Sequence, residues 1–460
     1  QKRVIPGHQI AEMALVRLYT VTGDKKYLDQ AKFFLDARGT TARKDIYLQS
    51  HKPVLEQDEA VGHAVRAGYM YSGMADVAAI TGDTSYIHAI DRIWENIVGK
   101  KIYITGGIGA RHEGEAFGDN YELPNLTAYN ETCAAIGNVY TNYRLFLLHG
   151  DAKYFDVLER SLYNGLISGV SLDGGRFFYP NPLACDGKYR FNADHTITRQ
   201  PWFGCACCPS NISRFIPSLP GYVYAVKDDK VYVNLFLSNR AELKVNGKNV
   251  VLEQETSYPW NGDIRLTVAK GNQPFVMNVR IPGWVRGSVL PGDLYAYADR
   301  EKLAYRVSVN GQEVKGALQN GYLSIDRRWK KGDVVEIHFD MQPRVVKAND
   351  KVAADRGRVA IERGPLVYCA EWPDNDFNIS TLLLNRHPKF QLVERPDLLG
   401  GINEITTRAQ ALSYDATGRL ATKDVKLTLI PYYAWAHRGE GRMEVWLPIE
   451  VGAASAELQE

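Results

Sequence analysis

Cysteine is scarce. Six residues (Cys133, Cys185, Cys205, Cys207, Cys208 and Cys369) in a chain of 460 are too few for a disulfide scaffold, which needs a short, cysteine-dense sequence. Excess charge of one sign is missing too. Lysine and arginine total 55 against 53 acids, a formal net charge of +2, which leaves no electrostatic footprint for nucleic acid or an anionic membrane. No stretch reaches the roughly 18 consecutive apolar residues a membrane span requires. The chain opens on Gln1 without a methionine or signal peptide, so a processed, cloned or upstream-truncated segment is expected. What remains is ordinary folded-protein material. At 45% hydrophobic and 23% charged residues, it can bury a large core, and the length suits two or three domains of about 150 residues. The 27 tyrosines and 8 tryptophans suit a carbohydrate-facing protein, although such residues fill cores equally well.

The first 225 residues read as helices. IAEMALVRLYTV places Ile10, Met13, Leu18 and Val21 on one helical face. The punctuation after it recurs: Thr22-Gly23-Asp24, Thr81-Gly82-Asp83 and His149-Gly150-Asp151, each followed three residues later by tyrosine. Glycine suits the left-handed residue that ends a helix, and aspartate the cap of the next. Repeated helix pairs at such a period imply an α-solenoid or a closed α/α toroid. From about residue 228, short β-branched runs such as VYVNLFL, DIRLTVA and DVVEIHF alternate with Asn-Gly, Pro-Gly and Lys-Gly turns, which is β-sandwich patterning. The expected division is a helical catalytic domain over 1–226, a β-sandwich over 227–345, and a second sandwich, or strands completing the first, over 346–460. Glycine- and aromatic-rich stretches at 99–126 and 166–204 interrupt the helices, and long irregular loops in such a place are often functional.

Three groups of residues could carry chemistry. Glu131, Cys133, Cys207 and Cys208, from ETC and CACC, supply the four thiolate and carboxylate ligands of a tetrahedral zinc site. Residues two apart do not share a helix face, so Glu131 and Cys133 belong at the start of a helix, and Cys207-Cys208 before Pro209 belong in a bend. Thiols buried as small hydrophobes, or a disulfide between neighbours, are the plainer readings. Second, GGIGARHEGEAFG at 106–118 holds His112, Glu113 and Glu115 in a glycine-rich loop. A carboxylate there suits a general acid if burial raises its pKa; otherwise it is a solvated charge. The glycines resemble a phosphate loop only superficially, since no GKS or GKT follows and no strand-loop-helix unit is evident. Third, His63 in VGHAVR and His8 in PGHQ stand at helix starts, where histidine can cap the helix or contact a sugar.

VGHAVRAGYMYSGMADVA, YITGGIGARHEGEAFG, AYNETCAAIG and WFGCACCPSN, with RGRVAIERGPLVYC and LIPYYAWAHRG further on, together resemble the β-L-arabinofuranosidases of glycoside hydrolase family 127, and the related family 146 has similar features. The resemblance covers nearly the whole chain. It implies an α+β multidomain protein, an (α/α)6 toroid followed by β-sandwich domains, with the site in the toroid mouth. Carried over by motif, Cys207 is the nucleophile, Glu115 the acid/base and His63 a sugar contact, with His8 a further candidate; Glu131, Cys133, Cys207 and Cys208 hold zinc. Cys205 receives no role. Two departures follow: about seven helices precede the strands where six pairs need twelve, and Ser210 stands where many relatives have a second proline. The implied activity is retaining hydrolysis of β-L-arabinofuranosides of plant glycans, with a glycan as partner; the location, periplasm or cytoplasm of a glycan-degrading bacterium, is left open. Retention places Glu115 and the sulfur on the order of 5 Å apart. Two rivals stay open: a carboxylate-pair glycosidase with structural zinc, using Glu115 with Glu113 or Glu122, and a carbohydrate-binding protein without catalysis.

Overall fold

The structure, a computed structural model, describes residues 4–42, 44–299 and 301–455. Its helical half is set by the three glycine-aspartate turns. Gly23, Gly82 and Gly150 adopt φ of 71°, 74° and 67° after helices α1 (Ile10–Thr22), α3 (Ala64–Thr81) and α5 (Thr132–His149), and each amide bonds back to a carbonyl of the last turn. Asp24 and Asp83 then cap α2 (Lys25–Ala37) and α4 (Thr84–Asn96). Asp151 accepts from the Lys153 amide at the start of α6 (Lys153–Arg160). With α7 (Cys207–Phe215), seven helices of at least eight residues precede the strand Tyr224–Lys227 among the described residues, with the two-residue strand Ala184–Cys185 between α6 and α7.

Helices α1, α3, α5 and α7 pack against one another in sequence order, while α2, α4 and α6 each cover the helix before them. The inner helices α3 and α5 are buried along most of their length. They cross where both lack side chains: a Cβ on Gly68 would lie 3.0 Å from the backbone of Gly137. This close approach brings the starts of α3 and α5, with His63 and Glu131, to one place. Of the apolar stripe expected on α1, Ile10 and Met13 pack against the core, but its second half does not. Leu18 and Val21 are 44% and 73% exposed, and the buried residues are Glu12 and Val16. The Arg38 guanidinium at the end of α2 pairs with Glu12 at 3.2 Å, both side chains fully buried, and Glu12 packs on Gly73. A buried ion pair left unmatched would be far costlier than two exposed aliphatics, so it sets the roll of the helix.

The strands form three sheets. A four-stranded sheet runs Tyr322–Lys330, Asn272–Arg280, Lys230–Val233, Tyr224–Lys227; a six-stranded one contains Asp263–Lys270, Lys248–Thr256 and Val334–Phe339 at its centre. Their alternating faces share one apolar core with the helices. The largest sheet is built on Arg358–Arg363, Leu366–Glu371 and the long hairpin Ile402–Tyr414/Leu420–Pro431, and it recruits Tyr295–Tyr297 and Ala184–Cys185 from earlier in the chain. No described helix is long and apolar enough to cross a membrane.

This last sheet holds the long loop between α6 and α7. The Arg199 guanidinium is buried and donates to the carbonyls of Ser168 (3.0 Å), Trp435 (2.6 Å) and Tyr433 (3.1 Å). Its positive face lies 4.2 Å from the Phe178 ring, on which Trp435 stacks at 5.2 Å. Tyr432 donates to the Pro182 carbonyl at 2.8 Å, and the Leu172 amide donates to His437 Nε2 at 3.0 Å.

The α3–α5 crossing makes a direct prediction. Gly68→Val forces the two backbones apart, and overpacking of this kind costs about 1–3 kcal/mol. Its melting temperature should fall accordingly; an unchanged value would show that the crossing is loose.

Candidate functional site

Helices α1, α3, α5 and α7 begin at one cavity of about 570 Å³, which is lined by His8, His63, Glu131, Cys133 and Cys207 from those starts and by Glu115 and Tyr179 from the two long loops. The first amides of a helix lack partners inside it, and the macrodipole puts its positive end there. Four such ends favour anions.

Glu131 occupies the capping position of α5 with extended backbone, φ −58° and ψ 138°. Thr132 and Cys133 open the helix, so residues two apart reach the same site from either side of its start. Thr132 Oγ1 is turned to the Phe178 carbonyl at 2.9 Å. Cys207 and Cys208 are the first two residues of α7, not a bend outside it. Pro209 follows in the first turn, where a missing N–H forfeits nothing.

The four donor atoms lie within 4.8 Å of one another. Glu131 Oε1 is 3.3 Å from Cys208 Sγ and 3.6 Å from Cys207 Sγ, and the two sulfurs are 4.0 Å apart. A tetrahedral ion with bonds of about 2.0–2.3 Å sets its donors roughly 3.3–3.8 Å apart. The second carboxylate oxygen, Glu131 Oε2, is buried with no hydrogen-bond partner, an arrangement that fits a cation. Glu131, Cys133 and Cys208 are almost wholly buried, whereas Cys207 is half-buried. Burial and the neighbouring Cys207 charge push the Glu131 carboxyl well above its ordinary range. Burial does the same to the Cys208 thiol. Hydrogen bonds from Cys133 and Cys208 draw the Cys207 thiol far down.

Glu131 also belongs to a second group with His63 and Glu115. His63 Nδ1 accepts from the Val65 amide at 3.2 Å, so its proton sits on Nε2, which donates to Glu115 Oε2 at 2.9 Å. The Tyr129 hydroxyl donates to Glu115 Oε1 at 3.1 Å. Burial alone would raise this carboxyl, but these hydrogen bonds outweigh it and hold it below its ordinary value. Glu115 is held in left-handed backbone at φ 49°, after Gly114 at 68°, and Asn130, just before Glu131, sits at 42°. Such non-glycine residues cost about 1–3 kcal/mol each and persist where the surroundings over-determine them.

The structure brings together His8, His63, Glu115, Glu131, Cys133 and Cys207 around the cavity, with Cys208 behind them. His8 Nδ1 accepts from the Ile10 amide at 3.1 Å, and burial, then the Arg66 charge, lowers its pKa to about 4. Glu113 and Glu122 do not line the cavity. Glu113 is exposed, and Glu122 is tied to Arg111 at 2.8 Å and to the Asp119 amide at 2.8 Å; the carboxylate beside Glu115 is Glu131. Cys205 is exposed, its sulfur 3.8 Å from the Tyr179 hydroxyl. Sequence reasoning missed Tyr129 and Tyr179, and also Arg66 and Arg214, which line the same cavity. The aromatic-rich composition of 166–204 was the one signal that pointed toward Tyr179.

A thiol cluster beside a hydrogen-bonded carboxylate, with Cys207 and Glu115 lining one cavity, marks this as the candidate active site. Family descriptions agree. The GH127 catalytic domain of beta-L-arabinofuranosidases matches residues 1–221, its middle domain residues 230–341, and the glycoside hydrolase family 127 C-terminal domain residues 343–448. A non-reducing end beta-L-arabinofuranosidase of Bifidobacterium longum subsp. longum is 36% identical over 96% of this chain and 70% of its own length. A solved GH127 beta-arabinofuranosidase is 76% identical with a TM-score of 0.96, over 98% of this chain and 70% of that one. A GH127 beta-L-arabinofuranosidase from Geobacillus stearothermophilus is 40% identical with a TM-score of 0.89, over 97% of this chain and 73% of that one. The chain belongs to glycoside hydrolase family 127.

The donor set predicts one bound metal ion per chain, measured by elemental mass spectrometry. Cys133→Ser and Cys208→Ser should each lose most of it. Metal at about a thousand times its Kd stabilises a fold by about 4 kcal/mol, so chelation should lower the melting temperature of the wild type and leave these variants nearly unmoved. Full metal content in both variants would remove the cluster from consideration.

Proposed function

We propose that this glycoside hydrolase releases L-arabinofuranose from β-L-arabinofuranosides of plant glycans with retention, using Cys207 as nucleophile and Glu115 as acid/base. The observation that carries the reading is the half-exposure of Cys207 at the cavity wall, while the other three donors of its cluster are almost wholly buried. Glu131, Cys133, Cys207 and Cys208 would hold zinc, which thiolates suit. Bound there, zinc supplies positive charge that keeps sulfur ionised. The helices would be part of an (α/α)6 toroid spanning 1–226, with the strands dividing at about residue 345. Tyr295–Tyr297, which pair with Arg344–Ala348 in the largest sheet, tie the two β parts together.

In the first step the Cys207 sulfur attacks the anomeric carbon. The bond to the glycosidic oxygen breaks, and Glu115 gives that oxygen its proton. In the second, Glu115 as carboxylate takes a proton from water, the water oxygen bonds to the anomeric carbon, and the carbon–sulfur bond breaks with its electron pair returning to sulfur. Two inversions restore the starting configuration. The free cavity holds Glu115 as carboxylate, the form used second. Its side chain is 32% exposed, so a bound sugar strips its remaining water and strengthens the one influence that raises its pKa, which favours the proton the first step consumes. His63 and His8 would hold sugar hydroxyls. His63 also fixes the Glu115 carboxyl through Nε2.

Release of chromophore from an aryl β-L-arabinofuranoside tests this. Cys207→Ala should lower kcat by on the order of 10⁴-fold or more, with the product formed by wild type retaining its β configuration by NMR. Turnover that survives the substitution would transfer the nucleophile's role to Glu131, whose carboxylate adjoins Glu115. An inverted product would end the scheme.

A further inference from the structure

The Tyr179 side chain is largely buried at the cavity wall, and its hydroxyl meets two sulfurs: Cys207 Sγ at 2.7 Å and, more weakly, Cys205 Sγ at 3.8 Å. A buried phenol ordinarily finds an oxygen acceptor. This one is built to face sulfur. Its backbone is fixed on both sides, with the Thr132 amide donating to the Tyr179 carbonyl at 2.9 Å and the Tyr179 amide donating to Asn192 Oδ1 at 2.9 Å. Its ring is wedged edge-on against Phe203 at 5.7 Å and beside Tyr129 at 6.3 Å. Thr132 lies between Glu131 and Cys133, so the phenol and the cluster share one anchor.

Resting on the cysteine-nucleophile reading above, we propose that Tyr179 is a hydrogen-bond donor to the Cys207 sulfur that promotes its departure from the sugar in the second step. The contact acts oppositely on the two steps. A hydrogen bond to an anionic sulfur lowers its energy, which makes it a slightly weaker attacker and a better leaving group. In the second step the electron pair of the breaking carbon–sulfur bond collects on sulfur, so the bond from Tyr179 strengthens as the reaction proceeds. The phenol keeps its proton throughout; the proton that moves goes from water to Glu115. Sulfur is a reluctant leaving group at a sugar carbon, and a donor fixed at 2.7 Å from it is worth most there.

Tyr179→Phe keeps the ring and its packing and removes only the donor. The variant should match wild type in melting temperature and metal content. Its kcat on an aryl β-L-arabinofuranoside should fall about 10- to 100-fold, while kcat/KM, which reports the first step, changes by less than about threefold. A rapid burst of chromophore approaching one per chain should appear, and intact-protein mass spectrometry during turnover should show a pentosyl-bearing chain, with the sugar on the Cys207 peptide. Equal falls in kcat and kcat/KM, without burst or adduct, would overturn the proposal, as would wild-type kinetics in the variant. A separate result would overturn the parent reading with it: wild-type turnover that survives Cys207→Ala.

Discussion

Everything at this site follows from one electrostatic constraint. A carboxylate and three thiols share a space in which their donor atoms are within 4.8 Å of one another, and three of the four residues are cut off from water. Anions so placed repel and lose their hydration, so the chain must offer positive charge or keep the groups protonated. Helix starts supply part of it. Glu131 Oε2, buried without a hydrogen-bond partner, faces the same cluster. The strained Glu115 and Asn130 backbones, the capping position of Glu131 and the helix start at Cys207 are all ways of holding like-charged groups closer than they would choose to lie.

Two contacts translate this local demand into architecture. The Gly68–Gly137 crossing fixes where α3 and α5 begin and so how far His63 stands from Glu131. The Arg199 clamp then joins the loop that carries Tyr179 to the last sheet of the chain. A guanidinium bonded to three carbonyls and stacked on an aromatic ring keeps its charge while tying together three separate stretches of backbone. The β part therefore forms the floor beneath the loop that completes the site.

How much of this was legible in the sequence depended on the range of the interaction. The hairpin turns at Gly23, Gly82 and Gly150 are local, and each closes as residue type alone dictates. The clustering of Glu131 and Cys133 with Cys207 and Cys208 was legible because few other partners satisfy three thiols and an acid. The face of α1 was misread because Glu12 is buried by Arg38, 26 positions away, and hydrophobic periodicity carries no trace of such a pair. Tyr179 and Tyr129 escaped notice because a phenol's role depends on what faces its hydroxyl. Here those groups are a sulfur 28 positions along and a carboxylate 14 positions back. Glu122 looked like a partner for Glu115 by proximity in sequence, but Arg111 holds it elsewhere.

The Arg199 clamp also dictates an order of assembly. Its acceptors, the carbonyls of Tyr433 and Trp435, directly follow the strand Leu420–Pro431, more than 230 positions beyond the guanidinium they receive. Loops closed over such distances form late. On a ribosome, which releases the chain from its first residue onward, the helices can pair while the sheets are still being made. The loop bearing Tyr179, however, lacks these acceptors until the segment through Trp435 has emerged. The contact between the Tyr179 hydroxyl and the Cys207 sulfur therefore leans on backbone made more than 230 positions after Arg199.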